Sequence, residues 1–231
     1  MSNDEKKFNQ KNRELFEGGE GDQYFLRNVS TIEGLYQNRN DAEIEILSNW
    51  LFPHKENINS ICEIGCSGGH RLQHLATELE ANGCGLDPSQ SAIEHIRQNY
   101  PNLEAEVGFG DNIPFKGQFD LVHLGFFLYL VDRDLYLKNI SEVDRILKCG
   151  GFLSILDFDV PTPYSNQYTH KEGVKSHKIN NSNVFVASGL YTVVHKFTYD
   201  LRNQHNPKFT DVIDERVSMT LLYKEKDIFK L

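Results

Sequence analysis

Residues 61–70, ICEIGCSGGH, place three glycines within five positions directly after a short apolar run. Glycine inside a regular element costs about 0.5–1 kcal/mol relative to alanine. The cluster therefore marks a point where the backbone must turn tightly or approach another group closely. Around it the chain alternates in type. Short apolar stretches at 60–64, 83–87, 103–111, 119–127 and 151–159 read as strands. Helical stretches at 69–81, 88–100 and 132–148 separate them, the last ending on Cys149-Gly150-Gly151. Alternation at this spacing predicts βαβ units, hence a parallel sheet with helices on both faces. Later, 190–201 and 216–225 alternate with period 2 and are joined by a stretch too short for a crossover helix, so an antiparallel pair is expected at the sheet edge.

Upstream, 41–52 has apolar residues at helical spacing behind Asp41 and reads as an amphipathic helix. Residues 1 to about 20 read as a loosely held tail or frayed helix. At 231 residues and 39% hydrophobic, the chain can bury one sizeable core, with room for a small appendage. No run approaches the roughly 18 apolar residues of a membrane helix. The N-terminus lacks the apolar segment of a secretory signal, so a cytoplasmic chain with no membrane partner is expected. Cys62, Cys66, Cys84 and Cys149 form no C-x-x-C pair and no zinc-type pattern with histidine. They are expected to be buried small hydrophobes, and no metal is expected.

The net charge of −9 argues against nucleic acid as the main partner. The balance is uneven, because residues 161–210 carry six Lys/Arg against two acids, and four of the nine histidines. A basic patch in an acidic chain suits an anionic small molecule.

In doubly wound sheets, ligands sit at the carboxyl ends of the strands. The dinucleotide fingerprint G-x-G-x-x-G, started at Gly65, would need glycine at 67 and 70, where the chain has Ser67 and His70. The segment EIGCSGG instead resembles motif I of the class I S-adenosylmethionine-dependent methyltransferases, [DE]-x-G-x-G-x-G, with Gly65 and Gly69 matching and Ser67 in place of the middle glycine. A serine there is compatible with close approach provided its φ is not positive. Further matches follow in order: Asp87 closing the second strand, GDNIPF at 110–115, FDLVHLGFFLYL at 119–130, and EVDRILKCGG at 142–151 with Cys149 replacing the usual proline. Together they span residues 60–158.

The resemblance implies an α/β fold: a doubly wound, mostly parallel seven-stranded Rossmann-like sheet with an antiparallel last strand. It implies S-adenosyl-L-methionine as cofactor, held by Glu63, Gly65, Cys66, Ser67 and Gly69, and by Asp87 and Pro88. Asp87 would accept from the ribose hydroxyls, Asp111 from the adenine amino group, and Asn112 would offer its backbone N–H to a ring nitrogen. A second resemblance, of GDQYFLRN (21–28) and the following NRND, is to methyltransferases of bacterial surface-sugar pathways, such as the pseudaminic-acid-associated methylases. It implies an N-terminal arm or lid over 1–40, with Tyr24 and Arg27 near the cofactor and Arg27 or Arg71 at its carboxylate. The methyltransferase domain would then be 41–231, with a substrate-cap insert around 160–189.

A sulfonium methyl is already activated, so the protein must chiefly align a nucleophile; a hydroxyl acceptor also needs a proton acceptor. Candidates are His123 in the fourth strand and His170 and His177 in the insert, with Asp157 and Asp159 after the fifth strand. Lys175, Lys178 and Tyr129 are the substrate-binding candidates. The implied function is methyl transfer to O or N of a small, polar, anionic metabolite such as a sugar or phosphorylated compound, in carbohydrate biosynthesis. Two other readings stay open. A nicotinamide-dependent oxidoreductase has against it the absent glycines and the lack of a Y-x-x-x-K pair. A cofactor-binding partner protein without catalysis would keep the same acids.

Overall fold

The computed structural model describes residues 11–37, 42–204 and 206–226; Asp41 and the NRND tetrapeptide lie outside them. Nine strands are described: β1 (Ser60–Ile64), β2 (Asn82–Asp87), β3 (Glu104–Val107), β4 (Phe119–Gly125), β5 (Leu147–Phe158), β6 (Tyr164–Gln167), β7 (Lys175–Lys178), β8 (Tyr191–Asp200) and β9 (Arg216–Lys224). Seven form one sheet in the order β3-β2-β1-β4-β5-β9-β8. Strands β1 to β5 pair in parallel, whereas β9 is antiparallel to both β5 and β8. This is the seven-stranded sheet with an antiparallel last strand that the sequence implies. The order reverses between β1 and β4, and that switch point locates the crevice.

Among the described residues seven α-helices accompany the strands: α1 (Asn12–Leu15), α2 (Gly21–Gln37), α3 (Ala42–Leu51), α4 (His70–Leu79), α5 (Gln90–Asn99), α6 (Tyr136–Ile146) and α7 (Ser182–Ala187). Because successive strand residues face opposite sides, Ile61 and Leu121 join one core with Leu47, Leu72, Leu75, Ile93 and Ile96 of α3, α4 and α5. Cys62, Val122 and Leu153 join the other with Val143 and Ile146 of α6 and Phe185 of α7. Each fully buried Leu or Ile side chain contributes about 1.5–3 kcal/mol. All four cysteines are free thiols. Cys62 and Cys66 are buried as expected, while Cys84 is partly exposed and Cys149 exposed.

Several boundaries differ from the sequence reading, most of all around the third and fifth strands. The third strand is shorter. The helix before β5 stops at Ile146, and LKCGG opens the strand instead of closing the helix. The register shifts there, since Phe119 faces Leu147 but Leu121 faces Phe152. The displaced residues form a bulge at Gly150, with φ 83°.

In the N-terminal segment the helix alternative holds over residues 12–20, docked and not frayed: α1 runs through a π-helical turn (Phe16–Glu20) into α2, with a break at Gly19, φ 108°. Asn12 anchors it. Its amide donates to the carbonyls of Leu130 and Lys175, both at 2.7 Å, and its Oδ1 accepts from Lys175 N–H at 2.9 Å. Farther along, Asp22 accepts from Ser89 Oγ (2.7 Å) and Ser91 N–H (2.9 Å) at the start of α5. A carboxylate is favoured at a helix N-terminus, and these bonds lower its pKa. Among the described residues no helix is long and apolar enough to cross a membrane.

Candidate active site

The loops after β1, β2, β3 and β4 wall one side of a cavity of about 350 Å³; the arm, the start of α3 and the turn after β8 wall the other. The first loop turns on Gly65 (φ 75°) and Gly69 (φ 78°). A Cβ on Gly65 would lie 3.1 Å from Phe127, so both angle and space call for glycine there. Ser67 overturns its expectation: its φ is 46°, in the left-handed region. Such a conformation costs a non-glycine residue about 1–2 kcal/mol. Phe126, also on the wall, has φ 60°.

Asp87 holds the strained loop. One carboxylate oxygen accepts from Ser67 N–H at 2.8 Å and the other from Ser89 N–H at 2.9 Å. Burial raises its pKa to about 6, against the opposing effect of those two donors. Asp111, also buried, accepts from the Arg13 guanidinium, which lies 3.7 Å from the Phe109 ring centroid. Glu63 is 1% exposed, and Arg71 stands between it (3.9 Å) and Glu43 (3.7 Å). Glu43 also accepts from the Tyr199 hydroxyl. Glu63, Gly65, Cys66, Ser67, Asp87, Pro88, Asp111, Tyr24 and Arg71 all line the cavity.

Other candidates fall elsewhere. Gly69 lies behind the wall as the left-handed residue before α4. Asn112 spends its backbone N–H on Phe109 O at 3.1 Å, which closes the turn and removes it as a donor to a ring. Arg27 does not line the cavity; it bonds Glu20 at 2.6 Å. His123 does not reach the cavity either. It is fully buried within β4, between Glu63 and Ser154 in register, and burial lowers its pKa well below 6.5. His170 sits exposed beyond β6, its ring against Tyr168. His177 lies on β7 with Nδ1 2.7 Å from Ser165 Oγ. Neither histidine lines the cavity.

The substrate-binding candidates are likewise displaced. Lys178 is buried against Phe158 and donates to Asp214 O (2.7 Å) and its carboxylate (3.0 Å). Lys175 is exposed on the same hairpin, and Tyr129 is buried among Phe126 and Phe158. Asp157 is a structural anchor, accepting from the N–H groups of Tyr129 (3.2 Å) and Phe158 (2.7 Å), with its pKa raised by burial to about 7. Asp159 is taken up by Asn180, Lys196 and Thr198. For His177 and Lys178 the reason is the antiparallel hairpin β6–β7, which turns their side chains onto Ser165 of the hairpin and Asp214 of the β8–β9 connection.

Sequence reasoning missed Asn12, Arg13 and Phe16 of the arm, and Glu43 of α3, all on the wall. Glu43 had a signal. It falls on the i, i+4, i+8 stripe with Leu47 and Leu51, an acid on an otherwise apolar face.

The cavity suits S-adenosylmethionine. Glu43, Glu63, Asp87, Asp111 and Asp132 outnumber Arg13 and Arg71 on its walls, a field that favours a sulfonium cation. Ser67 Oγ is buried there without a hydrogen-bond partner among the described residues. A Cβ on Gly110 would come 2.4 Å from Asn139 Oδ1, so the cradle is shaped by missing side chains as well as by those present.

Comparison with known proteins agrees. Residues 61–151 match the family described as "Methyltransferase domain". The chain is 32% identical over 103 residues to an uncharacterized methyltransferase of Synechocystis, covering 44% of this chain and 48% of the relative. It is 29% identical over 106 residues to the ubiquinone/menaquinone biosynthesis C-methyltransferase UbiE of Campylobacter jejuni, covering 42% and 44%. The chain thus spans about half the length of the curated relatives it matches. In three dimensions it resembles a TehB-like S-adenosylmethionine-dependent methyltransferase from Corynebacterium glutamicum (TM-score 0.62, 15% identity, 88% of this chain and 99% of that one). It also resembles the N-methyltransferase NodS from Bradyrhizobium japonicum, solved with S-adenosyl-L-homocysteine (TM-score 0.59, 16% identity, 83% and 88%). Residues 61–151 thus match a methyltransferase domain, and the fold is the Rossmann-like one of the solved S-adenosylmethionine-dependent methyltransferases.

Proposed function

We propose that the chain is an S-adenosylmethionine-dependent methyltransferase acting on a small molecule. One observation carries the reading: Glu63 in β1, Asp87 at the end of β2 and Asp111 in the loop after β3 meet around one cavity at the switch point of the sheet. The cofactor supplies an activated methyl group. Asp87 and Asp111 are the acceptors offered to its ribose and adenine, and Arg71 the cation offered to its carboxylate.

The acceptor half lies between the arm (Asn28, Thr31), α3 (Glu43, Ile44) and the turn after β8 (Leu201, Gln204). A small polar acceptor fits that mixture. The anionic sugar or phosphorylated compound expected from the basic insert has no lysine among the described residues of the cavity wall to hold it; Arg13 and Arg71 are the arginines described there. In our reading Glu43 takes the proton from an O or N nucleophile, and the arm excludes water from the transfer. The ubiquinone/menaquinone biosynthesis in the name of the Campylobacter relative is said of that protein.

Calorimetric titration with S-adenosylhomocysteine tests the assignment, with micromolar affinity expected. Binding of NAD(H) with none of S-adenosylhomocysteine would overturn it. A methyl-transfer screen over amines, sugars and phosphorylated metabolites identifies the acceptor.

A further inference from the structure

We propose a divalent transition-metal site, of zinc type, formed by Glu33, His70 and His95 where the arm meets the core. The three residues belong to α2, α4 and α5, and each offers one ligand atom; these atoms all lie within 4.8 Å of one another. Two imidazoles and one carboxylate form a donor set suited to Zn²⁺, with a fourth position left to water.

The surroundings preset the two rings. His70 is 4% exposed, and its imidazole packs on Gly68, where a Cβ would come within 2.9 Å of the ring. The two histidine rings lie 5.4 Å apart, inclined by 30°. Phe25 and Tyr100 stand edge-on against them at 5.5–6.2 Å and close the apolar sides. His95 Nε2 faces Glu33 Oε1 at 3.7 Å, too long for a hydrogen bond, and has no such partner among the described residues. A tetrahedral zinc at 2.0–2.1 Å from each ligand holds ligand atoms about 3.4 Å apart. The cluster therefore needs to contract by about an ångström, within reach of a rotamer change in Glu33, whose side chain is 39% exposed.

A metal here joins the arm to the cofactor loop, because His70 directly follows Gly69. The site needs no methyl transfer and stands apart from that reading.

The test is titration of the full chain, stripped with EDTA, with Zn²⁺ alone. Calorimetry gives affinity, and metal analysis after gel filtration gives stoichiometry. One Zn²⁺ per chain is expected, with a rise in melting temperature and, on Co²⁺ substitution, the visible bands of a tetrahedral site. Glu33→Gln, at a half-exposed position that leaves the core intact, is expected to weaken Zn²⁺ binding by at least about 10-fold, and His95→Gln by about 100-fold or more. Absence of stoichiometric Zn²⁺ binding overturns the proposal. So does Zn²⁺ affinity unchanged in Glu33→Gln and His95→Gln, which would place the ion on other histidines.

Discussion

The two walls of the cavity are built on different principles. On one side, the loops after β1 to β4 project from a parallel sheet, and their backbone does much of the work through Gly65, Gly69 and the N–H groups fixed by Asp87. On the other, the arm, α3 and the turn after β8 close the cavity with side chains: Asn12, Arg13, Tyr24, Glu43 and Gln204. In the proposed function the first wall is the scaffold for the cofactor, and the second is the set of side chains offered to the acceptor. The contrast teaches where to separate cofactor binding from chemistry.

The largest expected effect lies on the second wall. If Glu43 takes the acceptor proton, Glu43→Gln lowers kcat by about 10²–10⁴-fold, the usual contribution of a positioned base. Affinity for S-adenosylhomocysteine should stay within a few-fold of wild type. Loss of both together would erase the division between the walls.

Next comes the scaffold. Two hydrogen bonds to an ionised acceptor contribute about 1.5–3 kcal/mol each, so Asp87→Ala should weaken S-adenosylhomocysteine binding by roughly 100-fold or more. The same group predicts a pH dependence. Its folded pKa is raised, to about 6, so its contribution to the stability of the ligand-free chain is present at acid pH and lost as pH rises through 6. Cofactor affinity runs the opposite way, because hydroxyl donors need the carboxylate. Calorimetry should show it falling by about tenfold per pH unit below 6. A flat profile from pH 7.5 to 5 would remove Asp87 from the ribose.

A third experiment asks how separable the arm is. Asn12→Ala deletes three side-chain hydrogen bonds to Leu130 and Lys175. At about 1 kcal/mol each, this is about 3 kcal/mol of docking. Limited proteolysis should then cut the arm near Gly18 and Gly19 while the core resists and its melting temperature holds. A core that melts with the arm would make the two walls one cooperative unit.

The same contrast explains what could be read from residue order alone. The scaffold wall was legible because its parts have local signatures: an apolar run, a glycine cluster, an acid at a strand end. Period and spacing carried them in order from 60 to 158. The second wall has few such signatures. Nothing local in NREL places Arg13 on Phe109 or Asn12 between β7 and the loop after β4; those contacts are set by the docking of a whole arm. Glu43 was detectable as an acid on an apolar stripe, and the zinc-type cluster was not, since Glu33, His70 and His95 lie on three helices. The basic insert misled for the converse reason. Its charge suggested a ligand, yet Lys178 is taken up by Asp214 and Asp159 by Lys196.

The smallest expected effect sharpens the scaffold itself. Ser67 occupies the place of the middle glycine of motif I, and φ 46° is the conformation that glycine adopts without cost. Its hydroxyl oxygen has no hydrogen-bond partner among the described residues to offset the strain. Ser67→Gly removes about 1–2 kcal/mol of left-handed backbone energy and returns about 0.5–1 kcal/mol through the greater freedom of glycine in the unfolded chain. A net gain of about 0.5–1 kcal/mol is expected, read as a rise of a few degrees in melting temperature. If instead stability is unchanged and S-adenosylhomocysteine binds more weakly, the hydroxyl is a ligand to the cofactor. The strain would then be retained for binding, as at other functional sites where an uncommon backbone conformation is held in place by its surroundings.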